Sequence, residues 1–402
     1  MSADDRVGPR VGAYHLPVTD TPETLEPAAV ATASMPDTKP PTRRDAVIRV
    51  LLVFGVLAIV FGIIMPRFVD YQDVIESLQG LTLQDFLVDA VFGLIAWVLT
   101  GAIFTALIPG LGLMRGIQSY LILTGIGASI PLGPWNMAVL WVVIRGWGRP
   151  VAETTGGILL YGIFDQLSRF GLMFIAGLVL VAVEATKRPV NVEQAVITGY
   201  LIVGGVLFIG LGVGLILVVR SEALARKLGR FAERIAGAVL GRLGRKTPDI
   251  EGALVRFRVT LGDTVRNQGL VAFGVAMASK FAWVLLMIAS MRVLGVSDEV
   301  LPASVILAVV AGVFVITVLP ISPGGAGVPE LLYITFFTTY TGGVDASAIT
   351  AGVMLFRGFQ WLYPIPLAWI LLGISRRGKS LLPTKAEFQG GSSVPAGTSP
   401  AA

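Results

Sequence analysis

The chain of 402 residues is 54% hydrophobic and only 14% charged, where an ordinary soluble domain is nearer a quarter charged, so lipid must form part of its solvent. It has no cysteine and one histidine, His15 in a polar tail, which excludes disulfides, thiol catalysis, histidine-ligated metals and Ser-His triads. The formal net charge of +5 does not point to nucleic acid, because the basic residues collect at the ends of apolar runs and in one long loop, the pattern of membrane orientation.

Residues 1–42 are rich in Pro, Thr, Ala and acids without apolar periodicity, and read as a disordered cytoplasmic tail. The first apolar run begins only near Val47, so no cleavable signal peptide is expected. A helix needs about 20 apolar residues to cross the hydrocarbon core. Six stretches reach that length: 47–65, 87–108, 157–183, 195–219, 269–291 and 347–373. Two further apolar regions are broken, 117–144 by Ile130-Pro131-Leu132-Gly133-Pro134 and 301–340 by the Pro/Gly run from Pro320 to Pro329.

Charge at the ends of these runs orients them. Arg43, Arg44 and Arg49 keep the N-terminus inside, and the acidic segment with Asp70, Asp73, Glu76 and Asp85 belongs outside. Arg115 on one side of the first broken region and Arg145 and Arg149 on the other return both its ends to the inside, which makes it a re-entrant hairpin. The stretch 220–268 holds 11 Lys/Arg against 5 Asp/Glu and reads as a cytoplasmic loop with amphipathic helices on the anionic leaflet. Arg376, Arg377, Lys379 and Lys385 place the C-terminus inside, so the second broken region starts and ends outside, a hairpin of opposite orientation.

The predicted fold is therefore an all-α polytopic membrane bundle of about six full spans plus two re-entrant hairpins. Its transmembrane domain covers 43–378, in two inverted halves, 43–190 and 191–378, followed by a second disordered cytoplasmic tail at 379–402. The segment from Thr155 to Tyr161 resembles that from Thr350 to Phe356, in support of the repeat. Inverted halves with interrupted helices at matching places point to a site near the midplane. The spacing Gly210-x3-Gly214 predicts helix–helix packing.

Charges inside the spans are the candidate site. Asp165 and Arg169 lie in the third span, Lys280 in the fifth and Arg357 in the sixth, with Glu330 just after the second break. Each charge costs about 2.5–3.5 kcal/mol at a helix centre, so the set would cost on the order of 12–17 kcal/mol facing lipid. They must face one another, a cavity or water. Asp165 and Arg169 are four apart, acid first, the favourable order for an intrahelical pair. Lys280 and Arg357 need partners from elsewhere, Glu330 or a bound phosphate, and Gln360 lies one turn past Arg357. Three cations against two acids leave a surplus positive charge, suited to a phosphate, whose oxygens match the arginine fork. Gly324, Gly325 and Gly327 allow a tight turn before a helix starting near Pro329, whose positive end could cradle an anion.

The run Leu319-Pro320-Ile321-Ser322-Pro323-Gly324-Gly325-Ala326-Gly327-Val328-Pro329-Glu330, followed by Arg357, resembles the signature of the lysylphosphatidylglycerol synthase transmembrane-region family, also described as flippase-like. That family includes the membrane half of the bacterial multiple peptide resistance factor and archaeal proteins implicated in dolichol-phosphate glycan handling. The resemblance implies two opposed hairpins around a lipid-accessible cavity, a role in lipid flipping, and site roles for Glu330 and Arg357.

The expectation is a lipid flippase-like transporter in the inner membrane, with an anionic phospholipid or polyprenyl-phosphate headgroup bound midway across the bilayer. The acids are scattered and no Asp-x-Asp pair occurs, so the sequence predicts no enzyme and no cofactor. Two rival readings are an intramembrane lipid-modifying transferase and a non-transporting scaffold. A second copy of the chain or an envelope-synthesis enzyme is the expected protein partner.

Overall fold

The computed structural model describes residues 71–129, 135–186, 192–242, 249–317 and 327–377. Among these the regular elements are all helices: α1 (Tyr71–Gln79), α2 (Leu83–Leu107), α3 (Leu113–Ser129), α4 (Trp135–Gly146), α5 (Val151–Ala185), α6 (Gln194–Arg220), α7 (Glu222–Arg242), α8 (Ile250–Val293), α9 (Ala303–Ile316), α10 (Val328–Tyr340) and α11 (Ala346–Ser375). Five helices are long and apolar enough to cross a membrane: α2, α5, α6, α8 from Leu261 onward, and α11. The protein is an all-α polytopic membrane bundle. The span expected at 47–65, both tails and the centres of the two breaks lie outside the described residues.

Local chemistry fixes the helix starts. Thr82 and Asp85 form a reciprocal cap on α2: the Asp85 amide donates to Thr82 Oγ1 at 3.2 Å, and the Thr82 amide to Asp85 Oδ2 at 3.0 Å. This satisfies two amides that the first turn leaves open. Asp249 caps α8 by accepting from the Gly252 amide at 2.7 Å, while Glu233 of α7 accepts the Ile250 and Glu251 amides at 2.8 Å each.

These caps correct one expectation. Residues 220–268 carry one separate helix as expected, but their second part is continuous with the following span. Residues 222–242 form α7, and α8 already begins at Ile250 and runs unbroken for 44 residues into the membrane span. With the Glu233 cap and an Arg230–Glu251 ion pair of 2.9 Å tying α7 to it, the polar start of α8 has a partner, so a water-exposed sequence stays helical.

The two halves repeat one order of elements: span, two-helix hairpin, span. These are α2, α3–α4, α5 and then α8, α9–α10, α11. The broadest packing in the molecule is α2 on α8, where the halves meet, and the first arm of each hairpin crosses to the other half, α3 onto the end of α11 and α9 onto α5. Close approach of α2 and α3 depends on glycine: a methyl added to Gly116 would collide with the Gly101 carbonyl. Gly210 and Gly214 behave otherwise. Nothing of the chain lies within 4 Å of where their Cβ atoms would be, so this stripe faces outward rather than packing within the bundle.

α11 is interrupted by a π turn, Gly358–Leu362, where the Tyr363 amide reaches back to the Gly358 carbonyl at 2.8 Å. Such a turn frees a carbonyl from the helical ladder. The Phe359 carbonyl is used in this way, accepting from Trp97 Nε1 of α2 at 2.9 Å.

Candidate functional site

The intramembrane charges assemble into two clusters. In the first, Asp165 and Arg169 share a face of α5, with Arg169 Nε 2.8 Å from Asp165 Oδ2. Lys280 arrives from α8 and donates to the other carboxylate oxygen, Oδ1. One aspartate therefore serves two cations, and the cluster keeps a net charge of one positive unit. Arg169 also donates through Nη1 to the Phe314 carbonyl at 3.0 Å and to Thr317 Oγ1 at 3.1 Å, both at the end of α9. The ring of Phe314 lies under both cations, 5.5 Å from the Arg169 guanidinium and 5.7 Å from the Lys280 ammonium, where its negative face is attractive.

The accessible part of this cluster is Arg169. Its side chain is 24% exposed, against 5% for Lys280. Nε and Nη1 are committed, while Nη2 makes no hydrogen bond among the described residues. A guanidinium carries five N–H donors in a plane, so Arg169 retains a pair for a further oxygen-rich group.

The second cluster is neutral. Arg357 Nε of α11 lies 2.7 Å from Glu330 Oε1 of α10, and both side chains are less than 10% exposed. Arg357 Nη1 donates to Gln360 Oε1, and the guanidinium sits 5.9 Å from the Trp361 ring. The π turn after Arg357 brings both residues to the same guanidinium. Glu330 Oε2 accepts from the Gly327 amide at 2.8 Å, and Gly327 adopts φ 89°, a left-handed conformation that glycine permits, with Pro329 in the first turn of α10. The anion-binding amide anticipated at this helix start is thus held by the protein's own carboxylate. Gly324 and Gly325 lie outside the described residues.

An aromatic floor joins the clusters. Tyr120, Trp283, Phe356 and Tyr333 form a chain of ring contacts at 6.3, 6.1 and 5.7 Å between centroids. Tyr120 and Tyr333, both buried, are within electrostatic range of Arg169 and of Arg357. The predicted residues Asp165, Arg169, Lys280, Glu330 and Arg357 are therefore brought around one apolar wall, as two groups rather than one pool of charge. Glu330 partners Arg357, and Lys280 is satisfied by Asp165.

Sequence reasoning missed Phe314 and Thr317, which look like ordinary span residues, and the two tyrosines. It also passed over Asp89, a fully buried carboxyl on α2, because it sits near the end of an apolar run. Among the described residues no group of three or more His, Cys, Asp or Glu could hold a metal ion.

No protein-family model matches the chain, and no solved structure matches it. A curated relative does: over 329 residues the chain is 25% identical to Glycosyltransferase AglD of Haloferax volcanii. The chain is similar to a glycosyltransferase. The match covers 76% of this chain and 51% of the relative, so the chain spans about half the length of the curated relative it matches. It overturns the expectation that the chain is no enzyme, because that expectation rested on scattered acids alone, and the relative is named for group transfer. The buried charges thus sit in a helical bundle with five helices long and apolar enough to cross a membrane, in a chain similar to a glycosyltransferase.

Proposed function

We propose that the chain acts in glycosyl transfer from a nucleotide sugar onto a phosphorylated membrane lipid, with the Asp165–Arg169–Lys280 cluster holding the lipid phosphate. An acceptor oxygen bonds the anomeric carbon as its bond to the nucleotide breaks, and the nucleotide leaves with the electron pair. The observation that carries this reading is the unbalanced charge of that cluster: two cations share one carboxylate, and Arg169, the accessible one, has donors to spare. Phosphate oxygens can accept charge-assisted hydrogen bonds from the remaining Nη2 of Arg169. The similarity to a glycosyltransferase supports the chemistry, and the neutral Glu330–Arg357 pair leaves the surplus positive charge on α5 and α8. The resemblance to the lysylphosphatidylglycerol synthase transmembrane-region family supports a lipid-accessible site. The lipid is an anionic phospholipid or a polyprenyl phosphate, in an inner membrane with both termini cytoplasmic.

The test uses purified full-length chain in vesicles containing either polyprenyl phosphate or anionic phospholipid alone, supplied with radiolabelled nucleotide sugars. Label entering one lipid fraction, and falling at least tenfold in Arg169→Gln, supports the proposal and names the acceptor. A folded protein that moves no label onto either lipid refutes it.

A second reading, transport of the headgroup between leaflets, is favoured by one specific feature. The hairpin arms α3 and α9 each lean on the closing span of the other half, an arrangement suited to rocking one repeat against the other. Exchange of a fluorescent lipid between leaflets in the same vesicles, lost in Arg169→Gln, distinguishes this reading from transfer.

A further inference from the structure

Asp89 lies near the start of α2 with none of its surface accessible. It is packed where the two halves meet. From α8, Ser290 Oγ approaches Asp89 Oδ1 at 2.7 Å, while Oδ2 has no hydrogen-bond partner. From α11, Tyr363 is within electrostatic range. The charged groups nearby are committed elsewhere. On its own helix Asp85 is exposed and caps Thr82, on α8 Arg292 binds Asp298 and the Val296 and Leu301 carbonyls, and on α11 Arg357 binds Glu330. No cation among the described residues offsets a charge on Asp89, and an unpaired buried carboxylate is among the most expensive groups a fold can hold.

A neutral acid also lets both contacts of Ser290 be hydrogen bonds at once. Ser290 Oγ is 2.7 Å from Asp89 Oδ1 and also 2.9 Å from the Leu286 carbonyl. A hydroxyl has one hydrogen, and a carbonyl oxygen only accepts. Given to Leu286, that hydrogen leaves the shorter contact to Asp89 as two facing lone pairs. The contact becomes a bond when Asp89 brings the hydrogen itself.

We infer that Asp89 is a proton-binding site: a neutral carboxylic acid whose O–H donates to Ser290, which donates in turn to the Leu286 carbonyl. The free Oδ2 is then its carbonyl oxygen, the lone polar atom that such a site can leave unpaired at least cost. Loss of this proton requires water to reach the carboxylate and accept it, which happens only when α2 and α8 part. Protonation is thereby coupled to the contact between the halves, independently of any lipid bound at Arg169.

The test is infrared spectroscopy of the full chain in phospholipid vesicles at neutral pH, with and without carbon-13 in the aspartate carboxyls. A carboxylic-acid carbonyl band that shifts with the label, survives in Asp165→Asn and vanishes in Asp89→Asn is the expected result. Absence of any label-sensitive acid band in the wild-type protein overturns the inference, with no variant needed. If Asp89→Asn does not fold, Ser290→Ala supplies the assignment. Its acid band should move because the O–H loses its acceptor, and an unmoved band overturns the inference.

Discussion

Replacing Asp165 by asparagine should be the most damaging conservative change in the membrane core, and Lys280→Met among the mildest. Both oxygens of Asp165 are engaged, Oδ2 by Arg169 at 2.8 Å and Oδ1 by Lys280. Asparagine removes the only carboxylate, raises the cluster from one net positive charge to two, and turns an amide donor toward a cation. Stranding one member of a buried pair costs about 3–5 kcal/mol. Arg169 keeps the Phe314 carbonyl and Thr317 and is 24% exposed, so it escapes part of the loss. Lys280, at 5%, does not, and the total stays at about 3–5 kcal/mol. Lys280→Met instead leaves a balanced Asp165–Arg169 pair and removes the desolvation cost of an ammonium, so stability changes by about 1 kcal/mol in either direction. The double variant should recover about 1–3 kcal/mol relative to Asp165→Asn, since the stranded ammonium is gone. Unfolding of the purified chain by increasing dodecyl sulfate in mild detergent, followed by helix content, measures all three. Equal damage from Asp165→Asn and Lys280→Met, or a double variant no better than the first, would refute the shared-carboxylate account.

Three other outcomes follow from the same structure, read by the same unfolding assay except where stated. Arg357→Ala should cost about 3–5 kcal/mol by stranding Glu330, whereas Glu330→Gln should cost clearly less than Glu330→Ala because the amide oxygen still accepts from Gly327. Trp97→Phe should cost about 1 kcal/mol, the worth of its bond to the carbonyl freed by the π turn. Gly116→Leu should prevent α2 and α3 from docking, read as loss of the folded species on size-exclusion chromatography, while Gly210→Leu and Gly214→Leu should each shift stability by no more than about 0.5 kcal/mol.

The spans were legible because a bilayer demands long apolar helices. Apolar runs predicted at 87–108, 157–183, 195–219 and 347–373 became α2, α5, α6 and α11 within a few residues. The early start of α8 was not legible because it depends in part on a tertiary partner: Glu233 of α7 accepts the Ile250 and Glu251 amides, beside the local cap from Asp249. The clustered charges were legible through cost. Asp165, Arg169, Lys280, Glu330 and Arg357 stood out since an intramembrane charge must have a reason. Who pairs with whom was not legible, because Lys280 and Asp165 are 115 residues apart. Tyr120, Phe314 and Thr317 carry no such cost and left no signal. The Gly210/Gly214 spacing misled because a small-residue stripe says that something approaches closely, without saying whether it belongs to the same chain.

Native mass spectrometry of the full chain, exposed to polyprenyl phosphate and to a neutral polyprenol of equal length, tests the central claim most directly. The phosphorylated lipid should remain bound to the wild-type protein, the neutral one should not, and Arg169→Gln should release the first while keeping its helix content. Equal retention of both lipids, or retention unchanged by Arg169→Gln, would contradict a phosphate site built on the unbalanced charge of α5 and α8.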